Sequence, residues 1–206
     1  MDSKDNPFMD AVTRDNQREK KRQALLRAAA KMFNQKGYHT TSLEDVAADL
    51  GVTKPTIYHY LGNKEAVLLA CVRTGLQQLL TAAEQASDSD GNGADRLEFF
   101  LREYARINMD DFGRCVIRSR PESLSEDGAR KFQSLKREID VQMRKLIGDG
   151  IDDGSIESQS PKLLAFTLAG ALNWPARWYD PNGELTPELV SREMVRILAN
   201  GFRPRR

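Results

Sequence analysis

The stretch T-K-P-T-I-Y-H-Y-L-G-N-K, residues 53–64, concentrates hydrogen-bonding side chains. Lys54 and Lys64 bring positive charge, Thr56, Tyr58 and Tyr60 bring hydroxyls, and His59 brings an imidazole. Such a set donates to the phosphates and base edges of nucleic acid. It does not assemble a reaction centre. The chain has two histidines, His39 and His59. It shows no Gly-rich phosphate loop, no nucleophile elbow and no metal-spaced Cys/His cluster. We therefore expect no enzyme, no catalytic residue, no metal and no cofactor.

The elements that must hold these residues are readable from spacing. Residues 18–36 carry Leu25, Ala29, Met32 and Phe33 at helical intervals, and Gly37 stops them. Ser42 and Asp45 form a capping-box pattern ahead of a helix over 43–50, whose inner face takes Val46, Ala47 and Leu50. Gly51-Val52 makes a turn, Thr53 caps the next helix, and Pro55 sits in its first turn, where its missing N–H costs nothing. So short a link forces the two helices to cross steeply, as in a helix-turn-helix. In that geometry the second helix enters the major groove with its N-terminal residues at base edges. Ile57 and Leu61 then face inward, and Lys54, Thr56, His59 and Tyr60 face outward. Tyr58 and Lys64 suit phosphates, Lys64 at the start of a new helix whose N–H groups favour an anion. The competing use of the tyrosines is to cover an interdomain seam.

Charge distribution agrees. The 206-residue chain has a net charge of +1, yet between Gln17 and Lys64 nine basic residues face four acidic ones, leaving +5. A basic first third on a near-neutral chain points to a polyanionic partner at one end. No apolar run approaches the roughly 20 residues of a membrane span. The polar start offers no secretory signal, which places the protein in the cytoplasm with no membrane partner. Cys71 and Cys115 lie in helical sequence and read as reduced packing residues.

"TTSLEDVAADLGVTKPTIYHYLGNKEAVL", with the basic segment "REKKRQALLRAAAKMFNQKGYHTTS" ahead of it, closely resembles the DNA-binding signature of the TetR family of transcriptional regulators. The resemblance covers about the first 70 residues. It implies phosphate contact by Thr41, Tyr58 and Lys64, and groove contact by Lys54, Pro55, Thr56 and His59. Two positions depart from the pattern: Leu61 stands where the family often has Phe, and Pro55 replaces a common Gly. The implied fold is all-α: an N-terminal three-helix DNA-binding domain with a helix-turn-helix, then an all-helical ligand-binding and dimerisation domain. We place a flexible arm at 1–16, the DNA-binding domain at 17–63 and the second domain at 64–206.

Beyond residue 63 the sequence reads as helices at 64–86, 94–112, 125–150, 161–179 and 187–202, with a short piece near 114–119. "PKLLAFTLAGALNW" is apolar nearly all round, which argues for burial on several sides. In the family the last two helices form the homodimer interface, and a reader of half-sites needs a two-fold partner to span a palindromic operator of double-stranded DNA. A pocket for a small-molecule effector, mostly apolar, is expected among Phe99, Phe100, Tyr104, Asn108, Met109, Phe166, Trp174 and Arg177, although each is also an ordinary core candidate. Arg177 has three uses open to it: an anionic part of the effector, an aromatic ring, or a carboxylate across the dimer. "RWYDPNGELTPELV" looks like the same place in TetR-type regulators of fatty-acid or sterol breakdown, which sense acyl-CoA thioesters. The expected function is a ligand-responsive repressor. The alternative is a helical interaction protein without operator-specific DNA binding.

Overall fold

The computed structural model describes residues 7–200 except 121 and 123, with side chains from residue 15 onward. Regular structure among these residues is helical throughout: α1 (Pro7–Lys36), α2 (Leu43–Asp49), α3 (Lys54–Leu61), α4 (Lys64–Ser87), α5 (Gly93–Met109), α6 (Asp111–Arg118), α7 (Glu126–Asp152), α8 (Pro161–Asn173), α9 (Pro175–Trp178) and α10 (Pro187–Ala199). Two compact units result, Met1–Ala70 and Cys71–Arg206. The division falls inside α4, beyond the expected boundary at 63. The first turns of α4, with Val67 and Leu68 buried, belong to the N-terminal unit.

The expected arm at 1–16 is corrected over residues 7–16. Helix α1 begins at Pro7, not at 18. Proline is pre-set for a first helical turn, and no further Pro or Gly interrupts the chain until Gly37. Residues 1–6 lie outside the described part. Helix α4 is long and apolar enough, by length and composition, to cross a membrane, and half of that window is buried in the protein, as in a core helix.

In the N-terminal unit the caps anticipated from sequence are present. The Ser42 hydroxyl accepts from the Asp45 N–H, and the Asp45 carboxylate accepts from the Ser42 N–H. Gly51 takes φ +64°, a left-handed turn that residues with a Cβ resist. The Thr53 hydroxyl caps α3 through the Thr56 N–H. Ile57 and Leu61 are buried with Leu26, Phe33, Leu43, Val46 and Ala47. Leu50 departs from expectation: it is 39% exposed, because α2 ends at Asp49 and Leu50 has become its C-cap.

The C-terminal unit is built around α5, whose inner face buries Leu97, Phe100, Leu101, Tyr104 and Asn108. Its start is fastened twice. Asn92 and Asp95 form a capping box. From the turn after α7, Asp153 Oδ2 accepts from the Gly93 N–H at 2.6 Å and Ser155 Oγ from the Ala94 N–H at 2.9 Å. The α5 and α7 backbones meet at Gly93 and Gly150, where a Cβ on Gly93 would overlap Gly150. The expected helix at 94–112 breaks at Asp110, which is extended and serves as N-cap position of α6.

Helix α8 buries a single face within the subunit. Only Ala165, Leu168 and Leu172 are buried, while Leu163, Phe166 and Trp174 stay 65%, 53% and 60% exposed. Pro175 ends α8 and opens the short α9, with Trp174 between them still in helical geometry.

Candidate nucleic-acid interface

Helix α3 presents its polar residues outward from the buried pair Ile57 and Leu61. Lys54, Pro55, Tyr58 and His59 are exposed, and Thr56 and Tyr60 are partly so. The Thr56 hydroxyl lies 2.9 Å from that of Thr53, so the cap also sets its direction. Tyr60 and His59 meet edge to face at 5.3 Å and, with Gln17, Arg18 and Lys21 of α1, line a shallow groove. Residues Arg18 and Lys21 thus carry the basic surface of α1 to the end of α3.

Lys64 begins α4. Its ammonium donates to the His39 carbonyl at 3.2 Å and sits 4.5 Å from the centre of the Tyr38 ring. Partial burial pulls its pKa below the ordinary lysine value, and Asp45 partly opposes this. A lysine anchored this way presents its charge from a fixed point.

Two features depart from the sequence reading. Thr41, expected at a phosphate, is buried. It follows the Gly37 turn, and its hydroxyl donates inward to the Gly37 carbonyl at 2.9 Å. A threonine has one donor, so this geometry leaves none for a phosphate. The second feature escaped the sequence reading altogether. Glu44, in the first turn of α2, reaches across to α3. Its Oε1 lies 2.5 Å from Lys54 Nζ and accepts from the Tyr58 hydroxyl at 3.2 Å. Lys54 Nζ stands 5.7 Å from the Tyr58 ring centre. The hydrogen bond from Lys54 holds the Glu44 carboxyl below its usual range, and the same bond raises the Lys54 ammonium above its own. The only sequence signal is an acidic residue in the first turn of the helix preceding the recognition helix.

In the C-terminal unit the residues expected around a pocket do not all converge. Phe100, Tyr104, Asn108 and Met109 are buried together on α5. The Tyr104 hydroxyl and the Asn108 amide both donate to Asn173 Oδ1, at 2.9 and 3.0 Å. Burial pushes the Tyr104 pKa up to about 12. Asn108 Oδ1 is buried without a hydrogen-bond partner. Phe99 is 40% exposed, because the neighbouring Phe100 takes the inner face of the same helix. Phe166 lies over the surface, with the Arg144 guanidinium 5.3 Å from its ring centre. Trp174 and Arg177 are exposed as well. Arg177 joins a group of like charges: Arg114 donates to the Ala176 carbonyl at 3.3 Å. Arg118 is held below its ordinary pKa by partial burial, and further by Arg114 and Arg177.

A helix-turn-helix with a row of exposed donors, followed in the chain by an all-helical second unit, is the architecture of a DNA-binding transcriptional regulator. Residues 25–71 match the family model of bacterial regulatory proteins of the tetR family, and residues 90–202 that of the tetracyclin repressor-like C-terminal domain. The chain belongs to the TetR family. Among its relatives, the transcriptional repressor KstR2 of Mycobacterium tuberculosis is 28% identical over 190 residues, spanning 88% of this chain and 92% of the relative. The solved structure of that ketosteroid regulator superposes with a TM-score of 0.80 at 21% identity, covering 90% of this chain and 96% of the other. PfmR of Thermus thermophilus superposes at 0.77 with 28% identity, over 85% and 97%. AibR, solved with isovaleryl coenzyme A and operator DNA, superposes at 0.74 with 23% identity, over 85% and 96%.

Proposed function

We propose that the protein is a dimeric repressor that holds a palindromic operator until a small, mostly apolar effector releases it. The observation that carries this reading is α3: two buried anchors behind a row of exposed donors, at the groove-entering position of a helix-turn-helix. Lys54, Pro55, Thr56, His59 and Tyr60 meet the groove, Lys64 meets a phosphate, and Tyr58 meets one once its hydroxyl, which donates to Glu44, turns away from that carboxylate. Acting on DNA, the protein works in the cytoplasm. The exposed apolar residues of α8 and α10, with Ile197 65% exposed, provide the two-fold contact.

The effector binds in the C-terminal unit, beside Phe100, Tyr104, Asn108 and Met109. The unpartnered Asn108 oxygen supplies the polar end of that site. An acyl-CoA thioester is the class of ligand with which AibR, a fold relative, was solved. The positive group of Arg114, Arg118 and Arg177 suits its anionic part. The effector acts by binding better to a conformation in which the two recognition helices no longer match successive groove positions.

Selection of genomic fragments by the purified protein tests this. An enriched palindrome is expected, and its release by acyl-CoA thioesters identifies the effector class. No enrichment at low salt would favour the interaction-protein reading. Lys64→Ala should weaken binding to all DNA sequences alike and lower the slope of log affinity against log salt by about one. An unchanged slope would remove Lys64 from the phosphate contacts.

A further inference from the structure

We propose that Glu44 is a specificity-determining residue, which with Lys54 reads one G·C base pair in each half-site. The inference rests on the operator-binding reading above. An exposed ion pair does little for stability, so the purpose of this one lies in what the helix presents. Lys54 is the first residue of α3, the part of a recognition helix that meets base edges. Glu44 is fastened to it at 2.5 Å, and to Tyr58 one turn further along at 3.2 Å, both through Oε1. Three side chains from two helices thereby meet at one carboxylate.

That group has a defined pattern. A lysine ammonium has three donors, of which Glu44 takes one. The second carboxylate oxygen of Glu44, Oε2, takes part in neither of these contacts. The pair therefore offers two donors beside an acceptor, an order that an A·T pair, with its adenine amino group between two acceptors, does not match. A G·C pair shows the complement in its major groove: guanine O6 and N7 accept, and cytosine N4 donates. A lone lysine would take any site rich in acceptors. Adding the carboxylate demands a base amino group next to them and repels phosphate where none is met. Glu44 thus gives up general affinity for DNA in exchange for discrimination.

The test compares full-length wild type, Glu44→Gln, Glu44→Ala and Lys54→Ala. Each is used first in selection from random duplexes, then in titration of single-substituted operators at one salt concentration. Wild type should prefer G·C by about tenfold at one symmetry-related position of each half-site. Glu44→Ala and Lys54→Ala should each flatten that preference to within about twofold. Glu44→Ala should also bind random DNA about threefold more tightly, because a negative charge has left the phosphate surface. Glu44→Gln tests the charge apart from the shape: it keeps an oxygen acceptor and should retain part of the preference. Thermal melting of all variants should stay close to wild type, since the pair is solvent-exposed. A palindrome that wild type and the Glu44 variants rank identically overturns this inference alone. Absence of any palindrome for wild type overturns the operator reading and this inference with it.

Discussion

Replacing Ile197 with glutamate should split the proposed dimer into monomers and lower affinity for a full operator by about a hundredfold or more. Ile197 is on α10 and 65% exposed, so the change costs the folded subunit little by itself. Leu163 and Phe166 on α8 and Trp174 at its C-cap are exposed too, and Gly170 has open space where a side chain would be. Monomeric soluble proteins rarely leave such apolar surface uncovered. A buried glutamate facing its symmetry mate would bring two like charges into one apolar seam. The loss on DNA follows because the second half-site is then no longer bound at the high effective concentration set by the first. Sedimentation should show the mass halved, and affinity for an isolated half-site should stay near wild type. A variant that sediments as the wild-type dimer would remove α10 from the subunit contact.

The second large effect is on folding of the C-terminal unit. Gly93→Ala forces a methyl group into the Gly150 backbone at the α5–α7 crossing. Neither helix can yield by turning a side chain, so we expect a loss of about 3 kcal/mol, at the upper end for overpacking. The melting temperature should fall by about 10 °C. Gly148→Ala is the matched control. Two residues earlier on α7, it has nothing within 4 Å of an added Cβ, and removing a mid-helix glycine should stabilise by about 0.5–1 kcal/mol. Calorimetry on both variants separates crowding at the crossing from general effects of substituting glycine. Equal melting temperatures would mean that the crossing is not tight in solution.

Local chemistry was readable from sequence where one residue had one good use. Ser42 with Asp45, Thr53, Pro55 and Gly51 marked the ends of α2 and α3, and each does what its side chain or lack of one dictates. The phase of apolar helices was harder. In α8 almost every position is apolar, so periodicity could not say that Ala165, Leu168 and Leu172 would face in while Phe166 and Trp174 faced out. Phe99 and Phe100 are adjacent, and a helix can bury only one of two neighbours well. The break at Asp110 was hidden because Asn108, Met109 and Phe112 keep a helix-compatible spacing across it. Thr41 was placed by family likeness, and the Gly37 turn rotates its hydroxyl inward. Glu44 escaped because nothing in the run of residues 44–58 shows that a turn will bring its carboxylate onto Lys54.

The fastening of α5 by Asp153 and Ser155 has a consequence for the order in which the chain is made. These partners lie 60 and 61 residues further along. When synthesis has just passed α5, its first two N–H groups have no such acceptors and its Gly93 has no Gly150 to meet. The N-terminal unit draws its caps from within a few residues and closes on local contacts, which form quickly. The C-terminal unit must wait until the turn after α7 has emerged, because a long loop has to be closed before its contacts reward it. During that interval the nascent protein is a finished DNA-binding head trailing an unfinished body. Its α5 face, with Leu97, Phe100 and Leu101 uncovered, is then apolar surface open to a chaperone.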